Sequence, residues 1–159
     1  MEPADVHAAL SEAMPDGLDL LEVVDTAESG GGALADLLQA SSWIIDLPSP
    51  LEQAERAVAA FLGADEVLVE RMTKKGMREF DARAAVVALA AAAREGGSRL
   101  ELVLRHGTPA VRPDDVVTGL QNVGGLEVGP EHGGLALLTR LTQGPYDEAT
   151  GTIGDPLHP

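Results

Sequence analysis

The stretch DARAAVVALAAAAREGGSRLELVLR, residues 81–105, decides the fold. Its second half is plain, because Leu100, Val103 and Leu104 stand in a run that reads as strand. Its first half can be read two ways. Asp81 can cap a helix, and the alanines after it have the highest helix propensity of any residue. Against this, Val86, Val87 and Leu89 also suit a strand buried on both faces, with Arg94-Glu95-Gly96-Gly97-Ser98 as a five-residue loop into the strand over residues 99–105. Local propensity favours the helix; a hairpin needs a partner strand to justify it.

On the N-terminal side, residues 67–73 predict a strand and Lys74-Lys75-Gly76 a tight turn whose glycine can take a positive φ, with a return strand through Phe80. Ser49-Pro50-Leu51-Glu52 predicts a helix start, with serine as N-cap, proline at N1 and glutamate at N3. The buried stripe of that helix is Leu51, Ala54, Val58, Phe61 and Leu62, and Gly63 ends it. Further back, residues 42–47 predict a strand holding Trp43 in the core, and Leu34, Leu37 and Leu38 a short helix. Residues 18–24 predict another strand, and Val6, Leu10 and Met14 line an N-terminal helix. The loop Ser29-Gly30-Gly31-Gly32 lacks a Lys-Ser/Thr ending and sits among acids, which argues against phosphate binding.

On the C-terminal side, Pro113-Asp114-Asp115 opens a helix through Leu120, its carboxylates opposing the helix dipole, and residues 135–142 alternate as a last strand. Helices and strands therefore interleave. The expected fold is α+β, with an antiparallel or mixed sheet covered by helices on one face and a ferredoxin-like split βαβ topology preferred. Residues 1–143 form one domain in this reading, and residues 144–159, rich in Gly, Pro and acids, form a flexible tail.

Composition narrows the function. The 159 residues carry 26 Asp plus Glu against 11 Lys plus Arg and contain no cysteine. This chain therefore supplies no disulfide, thiol nucleophile, cysteine-ligated zinc or iron–sulfur cluster. The absence of a basic leader and of any 18-residue apolar run predicts a cytoplasmic protein with no membrane association. Charge is segregated: residues 1–70 balance at -14, residues 71–112 at +5 and the remainder at -6, within a net charge of -15. A field this negative repels nucleic acid, so a polyanion must meet the middle segment.

No catalytic constellation stands out. The four histidines show no ligand spacing, which predicts no metal and no cofactor in this chain. His106 is either an acid–base group or a solvated turn residue, the second being commoner, and Asp114 and Asp115 point apart on a helix rather than pairing on a cation. The basic hairpin is the best candidate site. Arg71 and Thr73 share one strand face, Lys74 and Lys75 crown the turn, Arg78 returns beside them, and Arg83 and Arg112 extend the contact if the sheet brings them near. Such a crown can hold a phosphate, an RNA backbone or an acidic protein patch. The plain alternative is a solvated tip whose lysines guard an edge strand.

Arg71-Met72-Thr73-Lys74-Lys75-Gly76 followed by Phe80-Asp81-Ala82-Arg83, and then Thr108-Pro109-Ala110-Val111-Arg112-Pro113-Asp114-Asp115, resemble the radical SAM-linked proteins, a family of unknown function. Thr139-Arg140-Leu141-Thr142-Gln143-Gly144-Pro145 and Gly154-Asp155-Pro156 resemble its actinobacterial branch. The resemblance implies a partner, a radical SAM enzyme with a cobalamin-binding region encoded beside or fused to the family member. It implies a strand at residues 84–93, which settles the ambiguity against local propensity. It also implies that the basic and aromatic N-terminal portion of the family is lacking here, the chain starting near that portion's last helix. The expected function is a non-catalytic accessory domain that recruits or presents substrate through the basic hairpin, with Asp81 in its motif. The alternative is an RNA- or nucleotide-binding module using the same segment, and a weaker one is an enzyme using His106 and Asp81. Nothing in the sequence bars self-association.

Overall fold

A computed structural model of the chain describes residues 1–27 and 32–158, so Ser29, Gly30 and Gly31 of the glycine loop lie outside the described residues. The elements run α1 (Pro3–Ala13), α2 (Leu34–Leu37), β1 (Ala40–Leu47), α3 (Leu51–Gly63), β2 (Leu68–Thr73), β3 (Gly76–Asp81), α4 (Ala82–Ala85), β4 (Val86–Arg94), β5 (Gly97–Arg105), α5 (Pro113–Gly124), β6 (Leu137–Gly144), β7 (Tyr146–Asp147) and β8 (Thr152–Ile153). The main sheet has the order β4-β5-β1-β6, and every neighbouring pair is antiparallel. Two crossovers, β1–α3–β4 and β5–α5–β6, flank the β4–β5 hairpin. This is the split βαβ arrangement of a ferredoxin-like fold, with the β2–β3 hairpin and α4 inserted into the first crossover.

From Val86 onward the disputed stretch is a strand, whereas Ala84 and Ala85, expected in it, belong to the helical turn α4. Partners run from Val86↔Leu104 to Arg94↔Gly97, a ladder that outweighs helix propensities spread over less than about 1 kcal/mol per residue. Leu89 is buried opposite Leu102, and Ser98, Leu100, Leu102 and Leu104 of β5 all face the core. Asp81 still caps a helix, but only the single turn α4: its Oδ1 accepts from the amides of Arg83 at 3.0 Å and Val67 at 2.9 Å. Arg94 and Gly97 join the ladder, so the expected five-residue loop shrinks to Glu95-Gly96, with Gly96 at φ +79°.

Helices α3 and α5 pack on one face of this sheet, around a core that includes Phe61, Ile45, Leu47, Leu102 and Leu120. The stripe on α3 is Ala54, Ala57, Val58 and Phe61; Leu62 is 37% exposed and does not join it. Ser49 does not cap α3 either. The helix starts one residue later than expected, and the Ser49 hydroxyl donates to the Glu127 carbonyl at 2.6 Å, tying the start of α3 to the segment after α5. Residues 18–24 form no ladder; the Leu20 carbonyl instead accepts from the His7 ring at 3.1 Å. Within the stretch expected as tail, β7 pairs with β8, and the Tyr146 amide donates to Gln39 Oε1 at 2.9 Å. Among the described residues no helix is long and apolar enough to cross a membrane.

Candidate functional site

The β2–β3 hairpin turns at Lys74-Lys75 between the paired Thr73 and Gly76. Gly76 sits at φ +102°, where a side chain would be strained, and nothing lies near enough to fill the space. Thr73 shapes the turn: its hydroxyl donates to the Gly76 carbonyl at 2.9 Å and accepts from the Lys75 amide at 3.2 Å. The side chains of Lys74, Lys75 and Arg78 make no ion pair or hydrogen bond among the described residues.

Arg71 lies directly opposite Arg78, a like-charge pairing that would be unfavourable if both stayed free. Arg71 escapes it by turning inward. Its guanidinium pairs with the buried Asp115 carboxylate, donates to the Ala110 carbonyl at 3.1 Å and covers the Phe80 ring at 4.4 Å. Asp115 also accepts from the Arg112 amide at 2.8 Å, so one carboxylate ties the hairpin to the start of α5. Between them lies a cleft of about 590 Å³, floored by Phe80, Pro109 and Ala110 and rimmed by Lys74, Arg78 and Arg112.

Of the residues singled out from the sequence, Arg71, Thr73, Lys74, Lys75, Arg78 and Arg112 line this cleft. Asp81 and Arg83 do not. Asp81 is occupied by the Val67 and Arg83 amides, and the Arg83 guanidinium reaches the Val86 carbonyl at 3.3 Å. On the opposite face of the hairpin, the cross-strand pair Met72 and Met77 is exposed at 68% and 59%.

A second group of side chains is brought together only by the fold. His106 is half-buried rather than a solvated turn residue: Nδ1 is 2.6 Å from the Leu38 carbonyl and Nε2 is 2.9 Å from Ser41 Oγ. A carbonyl only accepts, so in the neutral ring Nδ1 carries the proton and Nε2 accepts from the Ser41 hydroxyl. Ser41 in turn accepts from Trp43 Nε1 at 2.9 Å, and Arg140 lies 5.7 Å over the Trp43 ring. These residues come from β1, the end of β5 and β6, so no local pattern could have grouped them.

Outside these clusters, Asp46 is held by two arginines. Arg99 grips it through two hydrogen bonds of 2.6 and 3.0 Å, and Arg94 stands at 3.6 Å. The Arg99 hydrogen bonds, followed by the charges of Arg99 and Arg94, hold the Asp46 carboxyl below its ordinary range. Among the described residues no group of three or more His, Asp or Glu side chains could hold a metal ion.

Fold and site together define an antiparallel α+β domain of ferredoxin-like topology whose inserted hairpin carries a cationic tip, unpaired among the described residues. Over residues 1–113 the chain matches the model of a family described as uncharacterized protein conserved in bacteria, DUF2344, and it belongs to that family. No curated protein and no solved structure matches it. The matched span contains the whole hairpin and ends at Pro113; it does not reach residues 139–145 or 154–156, on which the resemblance to an actinobacterial branch rests.

Proposed function

We propose that the chain is a non-catalytic accessory domain that docks an acidic partner through the tip of the β2–β3 hairpin. The partner is a radical SAM enzyme with a cobalamin-binding region, for which the domain recruits or presents substrate. The observation that carries this reading is that Lys74, Lys75 and Arg78 have no carboxylate partner among the described residues of a protein with 26 acids. Exposed cations in so acidic a molecule steer and orient a negatively charged surface. The choice of partner rests on the resemblance at residues 71–83 and 108–115. A protein partner is favoured over RNA by two features. Met72 and Met77 expose adaptable apolar surface on the other face of the same hairpin. Phe80, the aromatic residue of the cleft, is 5% exposed and covered by Arg71, so it offers no base a stacking platform.

The test is retention of a purified radical SAM partner on the immobilised full chain across a salt series. Lys74→Glu with Lys75→Glu should weaken retention roughly 10-fold or more and flatten its salt dependence. Thermal unfolding should barely move, since exposed charge changes usually stay within about 0.5 kcal/mol. Equal retention by the reversed hairpin, or no retention of the enzyme by the parent chain, would defeat the proposal.

A further inference from the structure

A second cavity, of about 430 Å³, opens on the helix-covered side of the sheet beside the start of α5, and the hairpin tip takes no part in it. Protein interiors are packed with few voids larger than a water molecule, whereas small-ligand sites run from about 300 to 1,000 Å³. Its floor is fixed. The Leu38 carbonyl holds His106 Nδ1, His106 Nε2 holds the Ser41 hydroxyl, and Ser41 holds the Trp43 indole N–H, so each polar group at the bottom has one orientation. Trp43, Val111 and Leu138 supply apolar wall.

The mouth differs in character from the floor. Arg112 and Arg140 stand at it, and neither guanidinium has a carboxylate partner among the described residues. Among the described residues Asp114 is the one acid lining the cavity, so two guanidiniums share it with a single carboxylate in a protein of net charge -15. The Arg140 guanidinium carbon lies 5.7 Å from the centre of the Trp43 ring, which places this cation beside the apolar wall. Apolar wall below and forked donors above suit a molecule with an apolar body and one anionic head.

We propose that this cavity binds a small organic anion, with a flat apolar body against Trp43 and Leu138 and a carboxylate or phosphate held by Arg140 and Arg112. The site is separate from hairpin docking, although Arg112 borders both clefts, so Arg140 is the residue to test.

Trp43 is the only tryptophan of the chain, so its fluorescence and its indole N–H resonance report on this cavity alone. The full chain would be titrated with 3-phenylpropionate, phenyl phosphate, neutral 3-phenylpropionamide and inorganic phosphate. The expected result is a saturable change with at least one of the two organic anions at about 10 mM or below, and the better anion identifies the head group. The amide and inorganic phosphate should each bind at least about 10-fold more weakly, one lacking the charge and the other the apolar body. Arg140→Gln should weaken the organic anion about 10-fold, and Lys74→Glu with Lys75→Glu should leave its affinity unchanged. The proposal is overturned if neither anion saturates, if the amide or inorganic phosphate binds as well, or if Arg140→Gln has no effect. It is also overturned if the hairpin variant loses the same affinity, which would move the anion to the other cleft.

Discussion

Gly63 and Gly124 each end a helix of the layer packed on the sheet, yet replacing each with alanine should change stability in opposite directions. A Cβ added at Gly124 would lie 2.4 Å from Ala57 Cα, 2.7 Å from its Cβ and 2.9 Å from its carbonyl oxygen. Ala57 is fully buried on α3, and the atoms met first belong to backbone and cannot rotate away. Carbon atoms prefer separations of about 3.5 to 4.0 Å, so α5 would have to retreat from α3 by about 1 Å. Alanine gains at most about 1 kcal/mol over glycine in a helix, and overpacking a close contact costs about 1 to 3 kcal/mol. Packing therefore wins, and Gly124→Ala should lose about 1 to 2 kcal/mol. At Gly63 nothing lies within 4 Å of the added atom and φ is negative, so Gly63→Ala should gain up to about 1 kcal/mol. Urea unfolding at 25 °C, with the slope checked for constancy, separates the two. A Gly124→Ala protein as stable as the parent at unchanged slope would refute the close approach of the two helices.

Phe61 is fully buried between α5 and the sheet, so Phe61→Ala should cost about 3 to 5 kcal/mol in the same assay, and a loss below about 1 kcal/mol would contradict its placement. Asp115→Ala should cost about 3 kcal/mol, because it leaves the partly buried Arg71 guanidinium and the Arg112 amide without their shared acceptor; a loss under about 1 kcal/mol would show that this carboxylate does not anchor the hairpin. The Asp46 carboxyl titrates below its ordinary value when folded, so its contribution is complete above the unfolded value of about 4 and fades as pH falls through the folded one. The stability gap between the parent and Asp46→Asn should therefore be constant from about pH 5 to 7 and shrink below about pH 4, and a gap independent of pH across that range would rule out the pairing with Arg99.

Features that depend on neighbours a few residues apart are legible in the chain alone. The stripe Ala54, Val58 and Phe61 follows from helical spacing, the turn at Thr73–Gly76 from a glycine that can take a positive φ, and the α5 start from Pro113 and two acids. Lys74, Lys75 and Arg78 were legible as a cationic tip for the same reason. Contacts across the chain decided the rest. The alanines after Asp81 form a strand because β5 offers them a ladder and a core position for Leu89, which local propensity does not weigh. Ser49 leaves its capping role because the Glu127 carbonyl, 78 residues away in sequence, accepts its proton. Arg71 looks like a fourth cation of the tip, but Asp115, 44 residues further on, takes it inward. Ser41, Trp43, His106 and Arg140 look like isolated residues until the sheet assembles. The antiparallel pairing of β1 with β5 carries the residue after β5 to Ser41, and the bulge between Ser42 and Trp43 sets Trp43 opposite Arg140. Register is a property of paired strands, and no single strand carries it.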